Sequence, residues 1–396
     1  MKLKKKLWKF LKTKIVLVRV DFNVPMRHGK ILDVTRIKRT LPTLIELMNR
    51  GSKVVVMSHF GRPNGKKDLD FSLKPIAGAL SVISGKSVVM TKSCVGEGVK
   101  KIINEASSDS IVLLENLRFH PGEEDNALDF AMELAGLGDC YVNDAFSCSH
   151  RAHASVEQIT KLLPSAAGRL MEAELSALDK ALDSPERPVS ALIGGSKVST
   201  KLAVLGNLVK KVDQIIIGGA MANTFLASKG KFIGNSLFEQ DMVGEACAIM
   251  ANAAESDCKI ILPMDVVVAT QLVEGAKKEA CSVEEVQAGK VILDIGPKSV
   301  DRLVKNFSNI RTLIWNGPLG AFEYKPFDFG TNVIAQEVAR LTAANNLLSV
   351  AGGGDTMSAL VNAGVQDKFS YVSTAGGAFL EWVEGKELPG VVVLRS

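Results

Sequence analysis

Short runs rich in Val and Ile, each followed by a longer amphipathic stretch, recur along this chain and confine it to a narrow class of folds. In the first half they are Ile15–Val20, Lys53–Ser58, Ser87–Met90, Ile111–Leu114 and Asp139–Val142. In the second they are Val189–Ile193, Gln214–Ile217, Lys259–Leu262, Thr312–Trp315, Leu347–Val350 and Tyr371–Ser373. Most are apolar throughout rather than alternating, as strands covered on both faces are. Helical spacing separates them, as in Arg36–Arg50, Ala127–Leu137, Lys201–Lys211 and Asp328–Ala344. Such alternation predicts an α/β protein with parallel sheets. At 396 residues the chain exceeds what one core sustains, so two such units in tandem are expected.

The stretch Leu163–Pro188 stands between the two halves. Ser165 reads as a helix N-cap, Met171, Leu175, Leu178 and Leu182 follow at helical spacing, and Ser184-Pro185 stops the helix. All five histidines precede it, and the clusters Gly194-Gly195, Gly218-Gly219, Gly352–Gly354 and Gly376-Gly377 follow it. A helix with such unlike chemistry on its two sides is expected to connect two domains.

In open α/β sheets ligands bind beyond the carboxyl ends of the strands. There this sequence places Asp21-Phe22-Asn23, His59–Arg62, Glu115–Arg118 and Asn143-Asp144 in the first half. In the second it places Gly194–Lys197, Gly218-Gly219, Asn316–Pro318, Gly352–Asp355 and Gly376-Gly377. Arg36, His59, Arg62, Arg118, His150 and Arg151 are candidate anion receptors, because an arginine fork matches phosphate or carboxylate. Together they point to a doubly anionic substrate, whose hydroxyls Asp21 and Asn23 would orient. His150 and His153 without further ligands do not make a metal site.

The pattern of Gly194–Lys201 predicts the end of a strand and the opening of a helix, where backbone N–H groups favour an anion. Lys197 and Lys201, four apart, are expected to share a helix face, where they repel each other and oppose the dipole. A bound polyphosphate would relieve both. Gly353, Gly354, Asp355 and Thr356 read the same way, with Asp355 able to hold Mg²⁺ or to cap the helix. Glu323 is placed to accept hydrogen bonds from a ribose. No GxxxxGK[ST] is present, since Leu80 stands where the first glycine before Gly85-Lys86-Ser87 belongs, and no GxGxxG occurs. A dinucleotide-dependent oxidoreductase is thereby disfavoured.

Net charge is +5 and aromatics are 6%, with basic residues spread along the chain, so nucleic-acid binding is not indicated. Six cysteines show no CxxC pair and read as reduced thiols of a cytoplasmic protein. The Lys-rich start resembles a signal peptide only superficially, because the apolar run Ile15–Val18 is short and ends at Arg19. No run approaches the roughly 18 apolar residues of a membrane span.

Taken in order, RVDFNVP at Arg19–Pro25, MSHFGRP at Met57–Pro63, LENLRFH at Leu114–His120 and DAFSCSHRAHAS at Asp144–Ser155 resemble the phosphoglycerate kinase family. So do Gly194–Lys201, WNGPLGAFE at Trp315–Glu323, Gly352–Thr356 and Ser373–Ala378. The resemblance covers nearly the whole chain. It implies two Rossmann-like parallel-sheet domains joined by a hinge helix: a substrate domain at 1–164, a connector at 165–188 and a nucleotide domain at 189–375. It also implies that the tail at 376–396 packs back on the first domain. The implied reaction is reversible phosphoryl transfer between ATP and the carboxylate of 3-phosphoglycerate, with Mg²⁺, in a monomeric enzyme. Asp21, Phe22, Asn23, Arg36, His59, Phe60, Gly61, Arg62, Arg118 and Arg151 are implied for phosphoglycerate. Lys201, Glu323, Gly353, Gly354, Asp355 and Thr356 are implied for nucleotide, with Asp355 at the metal, and Arg36, Lys197 and Lys201 for catalysis. Ala375, Ala220, Arg169 and the Lys-rich start depart from the family pattern without touching those residues.

Overall fold

The computed structural model describes Trp8 and residues 14–395; the rest of the Lys-rich start lies outside the described residues. The chain divides into two compact units, one reaching Leu175 and including the chain from Glu387 on, the other Ser176–Lys386.

Unit 1 holds β1 (Ile15–Arg19), a small hairpin of β2 (Met26–Arg27) and β3 (Lys30–Ile31), then β4 (Lys53–Met57), β5 (Ser87–Met90), β6 (Ser110–Leu113), β7 (Cys140–Asn143) and β8 (Ser165–Ala167). Six of them form one parallel sheet in the order β5-β6-β4-β1-β7-β8. Successive side chains leave a strand on opposite faces, and each face has its own core. Val16, Val18, Val54 and Val56 pack with Ile37 and Leu44 of the helix Thr35–Asn49. Leu17, Val55 and Val112 pack on the other side with Val99, Phe130 and Leu134. That double burial is why these strands read as unbroken apolar runs.

Unit 2 repeats the plan. Its strands are β9 (Val189–Ile193), β10 (Gln214–Ile217), β11 (Lys259–Ile261), β12 (Asp265–Ala269), β13 (Glu279–Ser282), β14 (Val291–Ile295), β15 (Thr312–Asn316), β16 (Leu348–Gly352) and β17 (Tyr371–Ser373). The parallel sheet runs β11-β10-β9-β15-β16-β17. A separate antiparallel sheet, β13-β12-β14, was not anticipated from the sequence. In both parallel sheets the first strand in sequence lies inside, with chain-order neighbours on one side and later strands on the other. That reversal makes the crevice at the carboxyl ends.

The connector differs from expectation at its start. Ser165 is a residue of β8, not a helix cap, and the helix spans Arg169–Leu178. Tyr141 N–H donates to the Pro164 carbonyl at 2.9 Å, drawing this stretch into the sheet before it can turn. The helix is capped from elsewhere in unit 1. Asp144 Oδ1 accepts the Met171 N–H at 3.1 Å, and Thr43 Oγ1 accepts the Arg169 N–H at 2.8 Å. Arg169 also forks onto Glu46, at 2.6 and 2.8 Å, and lies 4.1 Å over the Trp8 ring. Beyond Leu178 the winding loosens into a π-helical turn, Asp179–Asp183. The unit boundary falls inside the helix, after Leu175. The stretch expected as one tail, 376–396, is divided. Its helix Gly376–Val383 belongs to unit 2, and only the part from Glu387 belongs to unit 1.

Candidate active site

The carboxyl edge of the unit 1 sheet is a layer of buried charge. Asp21, just beyond β1, is 8% exposed. It accepts hydrogen bonds from the Arg36 guanidinium and the Ser147 hydroxyl through Oδ2, and from Asn23 N–H at 2.9 Å through Oδ1. Burial alone would raise its pKa, but the neighbouring His59 first, then the Arg36 cation and these donors, hold it down to about 2. Asn23 Oδ1 in turn accepts the Gly61 N–H at 3.0 Å, and Arg118 Nη1 donates to the Gly61 carbonyl at 2.7 Å. Gly61, beyond β4, sits at φ +61°, where a Cβ would lie 2.1 Å from the Phe71 ring, so a side chain here would strain the backbone and displace that ring.

His59 is buried and its pKa is pushed well below 6.5, by burial first and then by Arg19, Arg118 and Arg151 against the pull of Asp21. Its Nδ1 lies 3.1 Å from Arg19 Nη2. Arginine only donates, so Nδ1 is the acceptor and the proton of the neutral ring sits on Nε2. Arg19, 1% exposed, is held by Ser155 Oγ at 2.9 Å and faces the buried Glu123 at 3.9 Å. Arg19, Ser147, Ser155 and Glu123 belong to the site and were missed. Ser147, Ser155 and Arg19 lie within motifs already singled out, whereas Glu123 gives no local signal.

Other predicted residues are placed as follows. Phe22 and Phe60 send their side chains into the core and offer the rim only backbone. Arg36 and Arg151 are half-buried and Arg62 is exposed. Arg151 Nε donates to His150 Nε2 at 3.2 Å, and His153 turns inward toward Glu123 at 3.9 Å. Potential ligand atoms of Asp21, His59 and Cys148 lie within 4.8 Å of one another. With Arg19 on His59 and Arg36 on Asp21, the pocket favours an anion over a cation.

The unit 2 edge is built differently. A Cβ on Gly194 would meet the Pro318 carbonyl at 1.9 Å, one on Gly317 the Gly194 carbonyl at 2.2 Å, and one on Gly219 the Gly195 carbonyl at 2.6 Å. The tips of β9, β10 and β15 are therefore packed backbone on backbone. Asn316 holds the next tip, donating to the Gly352 carbonyl at 2.7 Å while its Oδ1 accepts from Lys201. Thr356 Oγ1 accepts the Gly317 N–H at 2.7 Å and donates to Gly352 at 2.8 Å. Lys201 is half-buried, and burial lowers its pKa against the nearby Asp355 and Glu384.

Lys197 does not share a helix face with Lys201. It is exposed in the loop before a 3₁₀ turn, Ser199–Lys201, that leads into the helix Leu202–Leu208. The N-cap of the helix Gly354–Asn362 is Gly353 at φ +105°, so Asp355 is not the cap. It is an exposed carboxylate in the first turn. A hard, solvent-facing oxygen donor of this kind suits Mg²⁺, which keeps most of its waters and takes few protein ligands. Beside it opens a mostly apolar cleft of about 340 Å³, lined among others by Gly195, Gly219, Leu226, Leu293, Glu323 and Asp355. Asp294, also in its wall, is buried beneath the loop at Gly320. Burial raises its pKa to about 7, although the Gly330 and Ile295 N–H groups oppose this.

An arginine-lined strand edge in one unit, and a glycine-and-lysine edge without a P-loop in the other, define a nucleotide-dependent phosphotransferase of two α/β units. Comparison with known proteins gives the family. The phosphoglycerate kinase family model matches residues 8–386. A phosphoglycerate kinase of Ruegeria sp. is 55% identical over 98% of this chain and 98% of its own. One of Chelativorans sp. is 54% identical over 97% and 96%. The solved structure of phosphoglycerate kinase from Coxiella burnetii superposes with a TM-score of 0.90 at 41% identity, covering 97% of this chain and 96% of that one. The chain belongs to the phosphoglycerate kinase family.

Proposed function

We propose that this chain transfers a phosphoryl group reversibly between ATP and the carboxylate of 3-phosphoglycerate, giving 1,3-bisphosphoglycerate and ADP. The observation that carries this reading is the unlike construction of the two strand edges in a member of the family. Arg36, Arg62, Arg118 and Arg151 take the anionic groups of phosphoglycerate, Asp21 and Asn23 its hydroxyl, and His59 donates through Nε2. Phe22, Phe60 and Gly61 shape the rim with backbone. Lys201, Gly353, Gly354 and Thr356 receive the nucleotide phosphates, and Glu323 the ribose. Asp355 would hold Mg²⁺, which offsets phosphate charge when bound. A carboxylate is already ionised at neutral pH, so the reaction needs no general base. Arg36 and Lys197 flank the transferring group and stabilise its charge.

Because the two sets of residues belong to different units, transfer requires closure, which also excludes water. Asp144, Thr43 and Arg169 fix the unit 1 end of the connecting helix, so bending concentrates in the loosened stretch from Asp179 to Pro188. Six free thiols fit a cytoplasmic enzyme, and a monomer suffices for this scheme. A coupled assay with ATP, Mg²⁺ and 3-phosphoglycerate tests the activity, and no turnover above background refutes it. Small-angle scattering tests closure. Compaction is expected with both ligands and little with either, and an unchanged radius of gyration with both bound refutes it.

A further inference from the structure

Lys197 and Lys201 flank a stretch with no side-chain anchor of its own on the strand side, where Gly194 and Gly195 give none. The anchor comes from a distant part of unit 2. Glu239 Oε2 accepts the Ser199 N–H at 3.0 Å, and Oε1 accepts the Ser199 hydroxyl. The Val198 N–H also donates to this carboxylate. These N–H groups are therefore already satisfied, so they hold the loop rather than a phosphate.

Glu239 is itself tied from behind. Its N–H donates to Thr224 Oγ1 at 3.1 Å, and Asn223 Nδ2 donates to the Leu237 carbonyl at 3.0 Å. Asn223 and Thr224 are 1% exposed, within the helix Met221–Ser228. Asn223, Leu226 and Leu237 line the nucleotide cleft. The segment Leu237–Glu239 thus runs from the wall of the cleft to the turn that sets Lys197.

We propose that Glu239 is a positioning residue for phosphoryl transfer, fixing the Lys197 loop relative to the nucleotide cleft through Ser199 on one side and Thr224 on the other. It touches neither substrate. This rests on the role given to Lys197 above. A carboxylate suits the task because it accepts several N–H bonds at once and favours the positive end of a helical turn. Glutamine at this position loses the charge and leaves one acceptor oxygen for the Ser199 and Val198 N–H groups, while its NH₂ can meet only the Ser199 hydroxyl, which must then accept.

The test uses the full chain. Glu239→Gln should lower kcat about tenfold, since small misplacement of a catalytic group is costly. ADP affinity by calorimetry should change less than about twofold and melting temperature by no more than a few degrees, on the scale of one lost hydrogen bond. Ser199→Ala should give a smaller loss in the same direction. Thr224→Ala should also lower kcat, and the double variant with Glu239→Gln should lose less than the product of the single losses. Unchanged kcat in Glu239→Gln, or losses in ADP affinity and melting temperature that parallel kcat, overturn the proposal. Independent, multiplicative losses with Thr224→Ala also overturn it. Lys197→Met separates the two readings. If it leaves kcat intact, the role of Lys197 fails. If it abolishes turnover while Glu239→Gln leaves kcat unchanged, Glu239 alone is wrong.

Discussion

The two strand edges, each at the carboxyl end of a parallel sheet and each proposed to hold an anion, are built of opposite materials. In unit 1 the holding groups are charged side chains, largely buried and locked to one another. Asp21 is bound by Arg36 and Ser147, His59 by Arg19, and Gly61 by Asn23 and Arg118. In unit 2 the strand tips are bare backbone packed too tightly for side chains, and Lys197, Glu323 and Asp355 stand exposed around them. Buried side-chain receptors give fixed forks for a small rigid anion. On the proposed function, the backbone cradle suits a long polyphosphate, with Lys197, Glu323 and Asp355 exposed to follow it while Asn316 holds Lys201.

The contrast breaks most easily at Arg36. If the unit 1 edge works through fork geometry, Arg36→Lys should keep the fold and lower kcat about a hundredfold, the scale of losing one electrostatic stabiliser. Steady-state kinetics with near-normal kcat would mean that unit 1 supplies only charge. The matching change in unit 2 adds a methyl group. At Gly353, with φ +105°, a Cβ would lie 2.7 Å from Asn316 Nδ2. Gly353→Ala should weaken ADP binding about tenfold, since left-handed backbone costs a side chain roughly 1–2 kcal/mol. Affinity for 3-phosphoglycerate should not change. Equal losses for both ligands by calorimetry would erase the distinction between the edges.

The smallest effect concerns pH. Burial gives Asp294 a folded pKa of about 7, against 3.8 for the free side chain. Across that window the unfolded chain has released a proton that the native state retains, so this group makes stability fall as pH rises. Asp21, held at about 2, does the reverse: its contribution is full above its unfolded value and fades as pH drops toward 2. Urea unfolding at pH 5 and pH 7 should show Asp294→Asn losing less stability over that interval than the parent chain. An unchanged difference would show that Asp294 is ionised throughout.

Much of this was legible from sequence. Every strand read from an apolar run is present within one or two residues, because double burial demands such runs. β8 was hidden because Ser165-Ala166-Ala167 contains no β-branched residue. Small side chains fit there under the sheet edge, and the pairing with β7 rather than local propensity makes the strand. The polar residues read after each strand do lie beyond its carboxyl end, since topology fixes where strand ends lie. Their partners were not legible. Asp21 meets Ser147, Lys201 meets Asn316 and Ser199 meets Glu239 across long separations that no local pattern encodes. The shared helix face of Lys197 and Lys201 failed because the chain enters that helix through a tighter turn.

The return of the chain to unit 1 also sets an order of assembly. Gly390 N–H donates to the Ser149 carbonyl at 2.9 Å, and a Cβ at Gly390 would lie 2.6 Å from Val156 Cγ1. Leu388, Val391 and Leu394 are fully buried. The layer over the DAFSCSH motif is thus supplied by residues synthesised after all of unit 2. During translation, when domains otherwise tend to fold from the first one made, unit 1 waits with part of its interior uncovered. Its completion waits for Leu388, Val391 and Leu394, so a product cut short before them, though it carries every arginine of the first edge, still lacks the lid of its own core.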